Sequence, residues 1–293
     1  MAALPAPAPV KTRALTSSKP DFASIGGLAL SVTGILGGLL LEGGKIRDVA
    51  QVTAAMIVAG GTLGAVMVTT PLSVLVRAAR KMRHVFIETV QRPDDAINEI
   101  IAFASKARKH GIVSLEKDAD SLPDPFLRKA LNLAVDGTDL DVIRDMMELE
   151  INLEEHNAEA EAKVFEAAGG YAPTVGIIGA VLGLIQVMKH LENIDEVGRG
   201  IAVAFVATVY GVASANLFFL PAASKLRART HGAMHIQELM LEGVVAIVEG
   251  LNPKLIRSKL EAYARESQTD APGIDPNPHG THSPQVIRPG AGR

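Results

Sequence analysis

The sequence of 293 residues contains no cysteine and no tryptophan, and only 4% of its residues are aromatic. Without cysteine the chain can form no disulfide bond, no thiolate metal centre and no cysteine nucleophile. It also lacks a phosphate-binding glycine loop, a dinucleotide fingerprint and a nucleophile elbow, so we expect neither a cofactor nor an enzyme. A net charge of −3 gives no basic field for nucleic acid. His231 and His235 lie four residues apart, a spacing that a solvated helix face explains better than a metal site.

Charged residues are absent from four long apolar blocks. Each block is at least as long as the roughly 20 residues that cross a hydrocarbon core as a helix. The composition therefore predicts a membrane protein with four transmembrane helices. The blocks are Phe22 to Leu41, Val49 to Val76, Ala167 to Met188 and Gly200 to Ser224.

Short polar turns at 42–48 and 189–199 join the spans into two hairpins. The segment between the hairpins is rich in helix formers, and we find no convincing strand pattern. The predicted fold is an all-α membrane protein with a helical cytoplasmic domain between the second and third spans. We divide the chain into a disordered N-terminus 1–20, a first hairpin 21–76, a cytoplasmic domain 77–166, a second, pore-forming hairpin 167–224, a cytoplasmic helical tail 225–265 and a disordered C-terminus 266–293.

Basic residues close to the spans predict the orientation. Such residues favour the cytoplasmic side of a membrane. They follow the second and fourth spans and precede the first, so we expect both termini in the cytoplasm. The residues are Lys11, Arg13 and Lys19, then Arg77, Arg80, Lys81 and Arg83, and finally Lys225, Arg227 and Arg229.

The polar segment between the hairpins shows helical periodicity. A helix over 94–110 is expected to end at Gly111, with cations in its last turn. We expect Ser114 to cap the next helix. Thr138 with Asp141 resembles a capping box for a long helix that continues into the third span.

The spans themselves contain no aspartate, glutamate, lysine, arginine or histidine. No side chain within the bilayer can therefore bind and release a proton, and a conducting assembly needs an ionisable group from another chain. Hydroxyl groups remain at Thr174, Thr208, Tyr210 and Ser214. Each hydroxyl can line a pore or bond back to its own helix.

Several long motifs resemble the MotA family of flagellar stator subunits. They occur in the family's order and lie between about residues 21 and 265. Together they are far more specific than any one motif. The segments are Ala172 to Leu184, Ala204 to Asn216 followed by Leu220-Pro221, Gly60 to Gly64, and Glu242-Gly243 with Gly250 to Ile256.

The resemblance implies a stator subunit in the bacterial inner membrane. Such subunits form a homopentamer around two copies of a MotB-type partner, whose single span carries a proton-binding aspartate and whose outer domain binds peptidoglycan. Thr208 would then face that aspartate, and Pro173 and Pro221 would couple ion flow to movement. Arg108 and Glu116 match the family's pair that faces the rotor protein FliG. These two charges also suit a helix end and a helix start.

The resemblance also bears on the transported ion. Sodium-driven members carry threonine at the position of Ala180, so a chain with alanine there is expected to use protons. We place Thr208, Ala180 and Tyr210 along this ion pathway. The alternative is an energiser of the ExbB or TolQ type, but those proteins have three spans with the large loop after the first.

Overall fold

A computed structural model of the protein describes residues 16–269. Four of its helices are long and apolar enough to cross a membrane, counted within that range. This confirms the predicted helical membrane fold. The first part of the chain contains β1 (Thr16–Pro20), α1 (Phe22–Leu41), α2 (Ile46–Val49), α3 (Val52–Thr69), α4 (Leu72–Lys81), α5 (Arg83–Phe86), β2 (Ile87–Gln91), α6 (Pro93–His110), a 3₁₀ turn (Ile112–Leu115), α7 (Glu116–Asp120) and α8 (Pro125–Val135).

Two very long helical segments form the second part of the chain. The first has 50 residues and a length of about 75 Å, so it continues from the polar region through the third span as predicted. The second contains the fourth span and stays helical far beyond it. These segments are α9 (Leu140–Lys189), then α10 (Ile194–Ser214), a π-helical segment (Ala215–Phe219) and α11 (Leu220–Val248), followed by α12 (Pro253–Thr269).

The structure corrects the predicted ends of the chain. β1 pairs antiparallel with β2, Thr16 opposite Gln91 and Pro20 opposite Ile87, so residues 16–20 are ordered by backbone hydrogen bonds. This two-stranded ribbon is also an exception to the all-α prediction. Helix α12 continues through Thr269 because no helix breaker occurs before Pro272. Residues 1–15 and 270–293, also predicted to be disordered, lie outside the described residues.

The second span is shorter than predicted. The uncharged block extends to Val76, but α3 ends at Thr69 and α4 starts at Leu72. Thr70 has φ −129° and ψ 131°, which is the extended conformation that a following proline favours. Pro71 therefore divides the block into a membrane span and a separate amphipathic helix.

Two of the predicted helix caps are wrong. Gly111 ends α6 with φ 79°, as expected for a glycine at this position. The hydroxyl of Ser114, however, donates to the carbonyl of Gly111, and α7 begins at Glu116 without a side-chain cap. Asp139, not Thr138, caps α9, because its carboxylate accepts from the backbone N–H of Asp141.

The polar segment between the hairpins and the tail after the fourth span share one hydrophobic core. We call this unit the head domain; it comprises α6 to α8, the first part of α9, the last part of α11, and α12. At Gly243 of α11 an added Cβ would lie 2.6 Å from Cδ1 of Ile100, so glycine allows α6 to pack closely. The fully buried side chains of the core include Ile97, Ile100, Phe103, Leu127, Leu131, Ile143, Met147, Met240, Ile256 and Leu260.

The carboxyl group of Glu99 is buried in the head domain without a hydrogen-bond partner among the described residues. Glu99 of α6 is 8% exposed, and neither of its oxygens has a hydrogen-bond partner among the residues that the structure describes. Burial, with a smaller contribution from the nearby negative charge of Asp124, raises the pKa of Glu99 from 4.5 to about 7. The folded domain thus favours the protonated form of this carboxyl.

The Glu99→Gln variant is expected to stabilise the protein at alkaline pH. Ionisation of Glu99 costs folding free energy progressively as the pH rises from 4.5 through about 7, up to about 2–3 kcal/mol. The neutral amide avoids this cost, so its melting temperature should exceed that of the wild type at pH 8 and match it near pH 4.5. Glu192→Gln, at an exposed carboxyl in the hairpin turn, is the control. A gain that is equal at both pH values would contradict the assignment.

Candidate functional site: the paired third and fourth spans

Glycines bring the third and fourth spans into direct backbone contact. A Cβ added at Gly176 would lie 2.9 Å from the carbonyl oxygen of Ala207, and one at Gly211 would lie 2.5 Å from that of Ala172. A Cβ added at Gly183 would lie 2.8 Å from the carbonyl oxygen of Gly200. Small residues at these positions let two helices approach closely in a membrane. We call this contact between α9 and α10 the seam.

Two further pairs of glycines, each four residues apart in the first and second spans, differ from those of the seam. Gly34, Gly38, Gly60 and Gly64 have open space where a Cβ would lie, so they make no close helix contact within this chain. The neighbouring Gly61 does pack closely, because a Cβ there would lie 2.6 Å from Cγ1 of Val175. The spacing of glycines in the sequence therefore does not distinguish glycines that make close helix contacts from those that do not.

Two predicted ion-pathway residues lie beside the seam. Thr208 is half-buried, and its Cα would be 3.4 Å from a Cβ at Gly176. Its hydroxyl donates to the carbonyl of Ala204 over 3.2 Å. Ala180 is also half-buried and lies one helical turn after Gly176, on the same face of α9. The structure therefore brings Thr208 and Ala180 to one region.

The third predicted pathway residue lies elsewhere. The hydroxyl of Tyr210 donates to the carbonyl of Val49 and accepts from the backbone N–H of Gln51, 3.2 Å away. It thereby satisfies backbone groups at the junction of α2 and α3, where the helical hydrogen bonds are interrupted. The hydroxyl of Tyr210 fixes the start of the second span and does not accompany that of Thr208.

Both predicted coupling prolines lie at the same end of the seam. Pro173 lies inside α9, which stays α-helical there but lacks the backbone hydrogen bond that proline cannot donate. Pro221 follows the π-helical segment Ala215–Phe219, where the backbone hydrogen bonds are rearranged. A Cβ at Gly169 would lie 2.6 Å from Cδ2 of Leu220, so the helical turn before Pro173 contacts the residue before Pro221. The two proline-containing helix segments are therefore neighbours.

Ion pairs fasten this end of the hairpin to the rest of the chain. Glu161 of α9 is buried and pairs with Arg77 at 3.1 Å and with Lys81 at 2.8 Å. Arg227 of α11 pairs with Glu159 and Glu166 of α9 at 2.8 and 2.7 Å. Hydrogen bonding to Arg227 lowers the pKa of Glu159. Three of the basic residues that predicted the orientation, Arg77, Lys81 and Arg227, thus have acidic partners on α9.

A second ionic cluster holds the start of the first span. Asp21 is buried, caps α1 through Ser24, and pairs with Lys225 and Arg229, each at 2.6 Å. The hydrogen bond to Lys225 is the main cause that holds the pKa of Asp21 well below its usual value. Sequence reasoning did not predict the ion pairs of Asp21. A lone acidic residue beside one span, together with basic residues beside another span, could have indicated such a pair.

The predicted rotor pair lies at an exposed corner of the head domain. Arg108 is in the last turn of α6 and Glu116 is the first residue of α7, and both side chains are exposed. Lys106 and Asp118, from the same two helices, form a buried ion pair at 2.6 Å. This pair fixes the relative positions of the helix ends that carry Arg108 and Glu116.

No group of three or more histidine, cysteine, aspartate or glutamate side chains in residues 16–269 could hold a metal ion. His235 instead lies 3.3 Å from the carboxylate of Glu238. The features described so far define the class: a four-span membrane protein whose last two spans pack backbone to backbone and extend into a polar helical domain.

Comparison with known protein families assigns the chain more closely. The MotA/TolQ/ExbB proton channel family matches residues 118–239, and the motility protein A N-terminal family matches residues 25–111. Motility protein A of Bacillus subtilis is 35% identical over 244 residues, which cover 83% of this chain and 90% of that protein. Chemotaxis protein PomA of Vibrio alginolyticus is 32% identical, with 81% and 96% covered. The chain belongs to the motility protein A family.

Solved structures agree with this membership. The MotAB structure from C. jejuni superposes with a TM-score of 0.78 at 31% identity and covers 83% of this chain and 95% of the matched chain. The flagellar MotAB stator complex from Bacillus subtilis gives 0.77 at 33% identity, with 86% and 100% covered. The resemblance found in the sequence is therefore confirmed, and the relatives favour the stator over an energiser of the ExbB or TolQ type.

The seam predicts different effects for two glycines of α10. Gly211→Ala places a methyl group against the backbone of Ala172 and should cost about 1–3 kcal/mol of stability, because the backbone cannot move aside cheaply. Gly198→Ala is the matched control, since no atom lies within 4 Å of its Cβ position. Thermal unfolding in detergent should show a lower midpoint for the Gly211 variant alone. Equal midpoints would mean that the seam is not tightly packed.

Proposed function

We propose that this protein is the multi-pass stator subunit of a bacterial flagellar motor, which converts ion flow across the inner membrane into force on the rotor. The observation that carries this proposal is the continuity of α9 and of α10 to α11 from the seam into the head domain. Movement at the seam is transmitted along these helices into the head domain, where α6 and α7 carry the exposed pair Arg108 and Glu116.

The ion pathway is proposed to run along the seam beside Thr208 and Ala180. The spans contain no ionisable residue, so the proton-binding carboxylate comes from a MotB-type partner. The two matched structures are MotAB assemblies, which supports this partner and a multimeric ring, for which we propose five copies. Tyr210 contributes indirectly, because it holds the start of α3 against α10.

The energy of one ion is sufficient for one mechanical step. A monovalent ion that crosses 100 mV releases about 2.3 kcal/mol, which is several times the thermal energy. The proline-containing helix segments at Pro173 and Pro221 provide the local freedom for a small tilt, because hydrogen bonds are missing or rearranged there. Their contact through Gly169 and Leu220 makes the two segments move together.

The head domain is proposed to lie in the cytoplasm, where it meets the rotor protein FliG. The basic residues at the head-domain end of the spans support this orientation, in which both termini would lie in the cytoplasm. Exposed charges such as Arg108 and Glu116 steer a partner and fix its register more than they add affinity. The protein acts as a force-generating channel subunit and not as an enzyme.

Reversal of either rotor-facing charge should impair swimming without loss of the protein from the membrane. Arg108→Glu and Glu116→Lys change exposed side chains, so assembly with the partner should be normal. Swimming speed in soft agar and membrane abundance are the measurements, and an opposite charge change on the rotor should restore part of the motion. Lys254→Glu, at an exposed lysine of α12, is the control and should swim normally. Normal swimming of both single variants at low ionic strength would refute the role of the pair.

The transported ion is expected to be the proton. Ala180 offers no hydroxyl, so Thr208 supplies the single hydroxyl at this place, whereas a sodium ion must replace its lost water with several oxygens. Cells that depend on this stator should swim in sodium-free medium and stop when a protonophore is added. The assignment fails if sodium removal stops rotation at constant proton-motive force.

A further inference from the structure

A large apolar cavity lies between α3, α4, α9 and α10. It has a volume of about 790 Å³, is open on one side, and is lined almost entirely by apolar atoms, including those of Ala59, Leu75, Ala79 and Met82. This volume is within the range of about 300–1,000 Å³ that small-molecule sites occupy. The cavity does not include Thr208, Ala180 or the rotor pair.

One polar group in the cavity wall has no partner. Thr62 of α3 is 4% exposed, and its hydroxyl oxygen has no hydrogen-bond partner among the described residues. The other two hydroxyls of the wall are satisfied: that of Tyr210 by the start of α3, and that of Ser214 by the carbonyl of Gly211 at 3.1 Å. The Thr62 oxygen is itself almost completely covered by protein atoms, so the hydroxyls of the wall are not accessible to an occupant, and the wall suits an apolar chain.

Positive charge adjoins the cavity at the α4 side. Arg80 and Arg83 are exposed and follow the lining residues Ala79 and Met82 in sequence. Neither arginine has an ion pair with a residue whose side chain the structure describes, whereas Arg77 and Lys81 are paired with Glu161. These two cations belong to α4 and α5, beyond the end of the second span at Thr69, and are therefore available to an anion at the membrane surface.

These features exclude water as the occupant. Water requires two to four polar partners, and the wall is almost entirely apolar. An acyl chain fits this apolar space, and an anionic phospholipid also brings a phosphate that the two arginines can bind.

We propose that the cavity is a binding site for an anionic phospholipid of the leaflet on the head-domain side. One acyl chain fills the space between α3 and α4, and the phosphate lies at Arg80 and Arg83. The bound lipid completes the packing of α3 and α4 against the seam. This site is independent of the proposed ion pathway, since it depends only on insertion into a membrane.

The test measures lipid that remains bound after purification. The full chain with its partner is incorporated into nanodiscs of mixed phosphatidylglycerol and phosphatidylcholine, extracted again in detergent, and analysed by mass spectrometry for lipid per chain. The wild type should retain one phosphatidylglycerol per chain. Ala59→Phe fills the cavity and should abolish retention, whereas Ala29→Phe, at an exposed position of α1, should not change it.

Two further variants test which part of the lipid the site recognises. Arg80→Gln combined with Arg83→Gln should reduce the preference for phosphatidylglycerol over phosphatidylcholine by about 30-fold, because each cation near an anionic lipid surface contributes about fivefold. The exposed Lys254→Gln is the control for loss of charge. Thr62→Val keeps the side-chain shape and removes a hydroxyl that the occupant does not reach, so retention of both lipids should be unchanged. Retention that is equal in the wild type and in Ala59→Phe would overturn the proposal.

The identity of the occupant is tested directly with a photo-crosslinker. Because the chain has no cysteine, Ala59→Cys provides its single thiol for a benzophenone label. Illumination in nanodiscs should give an adduct with the mass of a phospholipid. An adduct with a second copy of the chain, or no lipid adduct at all, would overturn the proposal.

Discussion

The backbone contact between the third and fourth spans is the constraint on which the rest of the structure depends. Lipid is as apolar as leucine, so helices in a membrane gain little from apolar burial alone and rely on close packing. Gly176, Gly183 and Gly211 permit this packing because no side chain separates the helices. Thr208, Ala180 and the two proline segments all take their positions from this contact.

The sequence predicted most of the architecture because long uncharged blocks and three- and four-residue periodicity are strong local signals. It predicted the four spans, the end of α6 at Gly111 and the continuation of α9 into the membrane. It placed the end of the second span too late, because hydropathy does not register the steric effect of Pro71 on Thr70. The β1–β2 ribbon was missed because its five-residue strands depend on pairing between segments 71 residues apart.

The candidate site was predictable only in part. Sequence similarity named Thr208, Ala180 and Tyr210 together, but residues two apart on a helix point in different directions, and the structure gives Tyr210 a separate role at the start of α3. The ion pairs of Asp21 and Glu161 were not predicted. Their partners lie far away in sequence, and only the folded chain shows which acid meets which base.

The length of α9 has a geometric consequence for force generation. About 33 residues separate Pro173 from the start of the helix at Leu140, which corresponds to about 50 Å of uninterrupted helix. If the helix pivots at Pro173, a tilt of about 5° displaces its far end by roughly 4 Å. With that pivot, the length of α9 would turn a displacement smaller than a bond length near the seam into a movement the size of a side chain at the head-domain end.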